Sequence, residues 1–110
     1  MSDKPFMIIR AQIDPAIREE FQRWYFDEQR RQMLIIPGVV GAYHVKSAHS
    51  DTGWMALLKF YNEVAMQEAL SSAEATRTRE AWQRWMPYLK DMTIEIYTSL
   101  GALTPYHHRN

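Results

Sequence analysis

Glu28 and His44 are the two side chains in this sequence best suited to move a proton at neutral pH. A carboxylate or imidazole can act as general acid or base when it stands beside a positive group that stabilises developing negative charge. Arg10 and Lys59 are cations able to hold an enolate or a carboxylate, and Tyr61 and Tyr97 are hydroxyl donors. Trp24, Tyr25 and Gln29 neighbour Glu28 along the chain and would contact the same ligand. The absence of cysteine excludes thiolate catalysis, disulfides and zinc-thiolate sites. The adjacent His107 and His108 are a weak metal signal, and no metal site is expected.

Glu28 sits in a segment, Asp14 to Gly38, that reads as one long helix. Asp14 suits the N-cap and Pro15 the first helical position, where a missing N–H costs nothing. Glu19 and Glu20 favour the N-terminal end of the helix dipole, and Arg30 and Arg31 the C-terminal end. Pro37 stops the helix and Gly38 allows the turn. Spacing of three and four gives an inward line of Ile17, Phe21, Trp24, Glu28, Arg31 or Gln32, and Ile35, flanked by Tyr25 and Gln29. Glu28 then either reaches water at the edge of this line, paired with Arg31 or Gln32, or faces a cavity with a polar wall. A carboxylate buried without a partner would cost several kcal/mol or take up a proton.

The elements that must position these residues are strands. Phe6 to Ile13, Val39 to Ala48, Trp54 to Tyr61 and Met92 to Leu100 alternate in hydrophobicity and are rich in β-branched and aromatic residues. Asp51-Thr52-Gly53 makes the second and third a hairpin, and Gly41 marks a bulge or a close backbone approach. Asn62 caps a second helical region, broken at Ser71-Ser72 and ended by Pro87. The order β-α-β-β-α-β predicts an α+β, ferredoxin-like fold: a four-stranded antiparallel sheet with its helices on one face. The helix-side rows are expected to be Met7, Ile9, Ala11, Ile13; Val39, Gly41, Tyr43, Val45; Trp54, Ala56, Leu58, Phe60; and Met92, Ile94, Ile96. The open face then carries Arg10, Gln12, His44, Lys46, Lys59, Tyr61, Glu95 and Tyr97, mixed with Ile8, Met55 and Leu57. So many large apolar residues on an open face point to a second sheet covering it, hence a homodimer enclosing a barrel-like cavity.

A chain of 110 residues fits one domain, expected over residues 1–103 with a tail at 104–110. Hydrophobic residues make up 46% and charged residues 24%, which excludes a disordered chain. Thirteen basic side chains balance thirteen acidic ones, which argues against binding nucleic acid or an anionic membrane. The N-terminus has no apolar core of signal-peptide length, and no run approaches a membrane span, so a cytoplasmic protein is expected. Seven methionines and four tryptophans suit an adaptable pocket, but fill ordinary cores as readily.

The segment Trp24-Tyr25-Phe26-Asp27-Glu28-Gln29, followed by Ile36-Pro37-Gly38-Val39 and by Tyr43 on a strand, resembles the EthD-like members of the dimeric α+β barrel superfamily. The resemblance implies a homodimer with a small-molecule pocket between helix and sheet. The superfamily includes cofactor-independent monooxygenases, dehydratases, lactone isomerases, polyketide cyclases and haem-degrading enzymes, and fold alone does not choose among them. In those relatives a histidine follows the glutamate. Here Gln29 stands in its place and cannot transfer a proton, so His44 or His49 would have to supply the imidazole.

Three readings follow. One is a cofactor-free enzyme acting on a small aromatic, quinone-like or polyketide-like compound, with the roles given above. The second is a binding or carrier module using the same residues without chemistry. The third is a structural dimer in which Arg10, Lys59 and Glu95 pair across strands. No cofactor is expected. Haem would need an axial ligand, for which His44 is the plausible candidate.

Overall fold

The computed structural model describes residues 4–98 and 100. Four strands, β1 (Pro5–Ile13), β2 (Val39–Lys46), β3 (Gly53–Phe60) and β4 (Leu89–Thr98), form one antiparallel sheet in the order β2-β3-β1-β4. The helices pack on one face, so the expected ferredoxin-like architecture is present.

The first helical stretch begins where its punctuation requires. The Asp14 side chain accepts from the Ala16 amide at 2.9 Å, and Pro15 opens a 3-10 turn, Pro15–Ile17. Helix α1 (Arg18–Trp24) then leads into a π-helical turn, Tyr25–Gln29, before α2 (Arg30–Leu34). Gly38 adopts φ +94°, a conformation open to glycine, and a Cβ there would lie 3.0 Å from the Ala65 carbonyl oxygen. The second region divides at the serines into α3 (Glu63–Leu70) and α4 (Ala73–Trp82), followed by a 3-10 stretch, Gln83–Tyr88. Asn62 caps α3 by accepting from Ala65 N at 2.7 Å, and Ser72 caps α4 by accepting from Ala75 N at 3.1 Å.

The core lies between helices and sheet, where Ile9, Ala11, Ile13, Trp54, Ala56, Leu58 and Phe60 meet Phe21, Tyr25, Met33, Met66 and Trp82. β1 and β3 present the expected rows. β2 does not. A bulge between Val39 and Gly41 inserts one residue, so every side chain beyond it changes sides. Tyr43 pairs with Leu57 and Val45 with Met55 on the open face, and Tyr43 is 52% exposed. His44 and Lys46, expected on the open face, pair with Ala56 and Trp54 and belong to the helix side. On β4, Ile94 and Ile96 share the helix-side row with Ile9 and Met7, yet they are 59% and 47% exposed. The helical layer stops short of this edge strand.

Candidate functional site

The π turn decides which side chains of the long helix face inward. Its signature is a backbone bond from Arg30 N to Tyr25 O, five residues back, so one more residue fits into the turn than an α-helix holds. The inward line runs through Phe21, Trp24, Tyr25, Gln29, Met33 and Ile36. Glu28, expected in that line, is turned out to the surface, and its neighbour Gln29 is turned in and is 1% exposed. Of the two positions open to Glu28, the structure takes the solvent-facing one. Glu28 borders a shallow groove with Trp24, Arg31, Arg77 and Glu80, and pairs with no cation among the described residues.

Gln29 ties the long helix to α4. Its Nε2 donates to the Thr78 carbonyl at 3.2 Å, and its Oε1 has no partner among the described residues. Tyr25 donates its hydroxyl to Met33 Sδ at 3.0 Å. Burial pushes the Tyr25 phenol well above the usual tyrosine range. The ring of His44 lies 4.3 Å from that of Tyr25 and 5.4 Å from that of Trp54. Burial, and then the nearby Arg30 guanidinium, push the His44 imidazole below its ordinary value, which keeps it neutral at pH 7. Trp24 belongs to an aromatic cluster with Phe21, Tyr25, Trp82 and Trp85.

Beside this cluster, between helices and sheet, lies a cavity of about 370 Å³. Its wall is apolar and methionine-rich: Met7 and Met92 come from the sheet, Met33 from α2 and Met86 from the 3-10 stretch. Met86 and Ile94 are both well exposed, so the cavity reaches the surface beside β4. Thr78, Arg79 and Gln83 are its polar lining residues. Tyr25 and Gln29 stand behind the wall: each hydrogen-bonds a residue that lines it, Met33 and Thr78 respectively. The wall carries no histidine, so His44 is not set to ligate a haem there.

The remaining candidates sit elsewhere. Arg10 and Glu95 pair across strands on the open face at 3.4 Å. Lys59 does not join them, and lies 5.7 Å from the centre of the Phe6 ring. Tyr97 is half-exposed opposite Phe6 on the same face. Tyr61 falls just beyond β3, exposed, with the Lys4 ammonium 4.6 Å from its ring centre. The candidates thus divide among four places: Trp24, Tyr25, Gln29 and His44 inside, Glu28 outside on the helix, Arg10, Lys59 and Tyr97 on the open sheet, and Tyr61 just beyond β3. The four cavity methionines and Arg79 were not singled out by sequence reasoning. The high methionine content was the available signal. Among the described residues no three potential metal ligands cluster. His107 and His108 lie outside the described residues.

Comparison with solved structures bears out the fold. The chain is similar to an ethyl tert-butyl ether D (EthD) family protein from Bacillus halodurans, with 17% identity, 87% of this chain and 99% of that one covered, and a TM-score of 0.70. It is similar to SnoaB, a cofactor-independent oxygenase from Streptomyces nogalater, with 17% identity, 94% and 98% covered, and a TM-score of 0.63. It is also similar to a conserved protein from Methanosarcina mazei, with 15% identity, 87% and 92% covered, and a TM-score of 0.71. No family model matches the sequence, and no curated protein matches it. The likeness shows that the chain shares the ferredoxin-like fold of these structures.

Proposed function

We propose that this chain binds an apolar, ring-bearing small molecule in the cavity between its helices and its sheet, as one half of a homodimer. The observation that carries the reading is the methionine-lined cavity of about 370 Å³, which reaches the surface beside β4. Its size falls in the range of small-ligand sites, roughly 300–1,000 Å³. Unbranched thioether side chains adapt to ligands of irregular outline. The homodimer reading is supported by the open sheet face, where Ile8, Met55, Leu57 and Tyr43 form an apolar field around the Arg10–Glu95 pair. A second copy over this face would place Arg10, Lys59 and Tyr97 inside the barrel, with Tyr61 at its rim. The domain is taken as residues 1–103 with a tail at 104–110, acting in the cytoplasm. No helix among the described residues is long and apolar enough to cross a membrane.

Catalysis is the second reading, favoured by His44 for a ligand that reaches that imidazole rather than one confined to the cavity, whose wall carries no histidine. An imidazole held neutral among aromatic rings can accept a proton, and a cofactor-free monooxygenase, cyclase or dehydratase/isomerase acting on an aromatic or polyketide-like compound would need such a group. The description of SnoaB as a cofactor-independent oxygenase supports chemistry of this class. Glu28 would serve as a second acid or base only for a ligand lying in the outer groove it borders.

Native mass spectrometry of the protein isolated from its own host tests both parts. A dimer carrying a small-molecule adduct is expected. A dimer that stays free of adduct under the gentlest conditions removes the ligand, and a monomer removes the barrel.

A further inference from the structure

We propose that the ligand is a monoanionic amphiphile, an aryl body ending in a carboxylate or sulfonate, and that Arg79 receives the anionic end. This rests on the cavity reading above and adds the chemical class. Arg79 stands on α4 where the cavity meets the surface, in a lining whose other members are apolar apart from Thr78 and Gln83. Its guanidinium is held in position: Nη1 donates to the Leu70 carbonyl at 3.2 Å and Nη2 to Thr76 Oγ1 at 3.1 Å. Leu70 itself lines the cavity, so the bond to its carbonyl brings the positive charge to the wall. No carboxylate lies within ion-pair distance of Arg79 among the described residues.

A guanidinium has five N–H donors, and two hydrogen bonds leave others free for an oxyanion. The charge sits on an exposed residue, where it keeps its water until a ligand arrives. The apolar body would then lie inward, against Met7, Met33 and Leu58, where no charge is present to oppose it. A neutral ligand would use the same apolar wall and leave the cation unemployed. The alternative role for Arg79 is a purely structural clamp between α3 and α4.

The test uses two fluorescent probes with the same aromatic body. 8-Anilinonaphthalene-1-sulfonate carries the anion, and N-phenyl-1-naphthylamine lacks it. The sulfonate is expected to bind the full-length protein about tenfold more tightly than the amine. Arg79→Gln should abolish that advantage and leave amine binding unchanged, Arg79→Lys should restore part of it, and Arg77→Gln, in the outer groove, should leave it intact. Circular dichroism confirms that each variant is folded. Equal binding of both probes to the unaltered protein, or a sulfonate advantage that survives in Arg79→Gln, overturns the assignment and leaves the cavity reading standing. If neither probe binds, or if Ala69→Phe, which fills the cavity, displaces neither, the cavity reading itself fails and this one with it.

Discussion

The imidazole of His44 and the phenol of Tyr25 lie 4.3 Å apart, ring centre to ring centre, one on the edge strand β2 and the other in the π turn. Both are held in their neutral forms by burial, and Arg30 adds to the effect at His44. The contact joins the first helical stretch to the sheet edge through two groups that burial keeps uncharged, the phenol by retaining its proton and the imidazole by releasing one.

A pH dependence follows from that contact. His44 titrates lower in the folded chain than the 6.5 expected when unfolded. The unfolded chain therefore binds the proton better, and acid favours unfolding. The His44 contribution to stability should be fully present above about pH 6.5 and lost as the pH falls from there through the folded value. Thermal melts between pH 7.5 and 5 should show the loss, and His44→Gln should flatten it. An equal loss in the variant would show that the proton lands elsewhere.

Filling the cavity should separate binding from stability. Ala69 is buried and lines the cavity, so Ala69→Phe has room for its ring. In a close-packed core the same enlargement costs about 1–3 kcal/mol. Here denaturant unfolding should show a change below about 1 kcal/mol, with ligand uptake lost. A cost of several kcal/mol would mean that the space is not there.

The open face should hold two copies together. Sedimentation should give a mass of about twice 13.0 kDa. Leu57→Glu would put an unpaired carboxylate into the centre of that contact, at a cost of several kcal/mol, and should yield monomers. A monomeric parent protein would defeat the dimer at once.

The cap of α3 offers a measure of local stability independent of function. Asn62 accepts from Ala65 N at 2.7 Å, and Asn62→Ala should cost about 1 kcal/mol, lowering the melting temperature by roughly 4–8 °C. No measurable shift would mean that water replaces the cap without loss.

Alternation made the sheet and its topology legible, because β3 keeps strict period-two burial throughout and β1 keeps it from Ile9 to Ile13. β2 was misread beyond Gly41. The glycine signalled a bulge, but the change of parity that a bulge imposes was not carried through to Tyr43 and His44. Regular helical spacing puts Glu28 in line with the apolar stripe and leaves both a water-facing edge and a cavity wall open to it; the π turn between Tyr25 and Gln29 breaks that spacing and turns it out. The cavity was hidden for another reason. Methionine fills a solid core and lines a hollow one equally well, so Met7, Met33, Met86 and Met92 carry no sequence mark of the space between them. Nothing in the sequence sets Arg79 apart from the other cations of its helix. Its tether to Leu70 depends on the step between α3 and α4, which only the folded chain displays.

The wide turn also bears on which deletions the helix would tolerate. Were Asp27 deleted, the inward residues Phe21, Trp24, Tyr25, Gln29, Met33 and Ile36 would fall on ordinary α-helical spacing, each still on its present side. The π turn thus holds one residue more than the inward pattern needs, and confines the disturbance to the bend beside the cavity. Loss of a residue, ruinous in most helices, would here be a repair. A chain one residue shorter at this spot would keep the same interior.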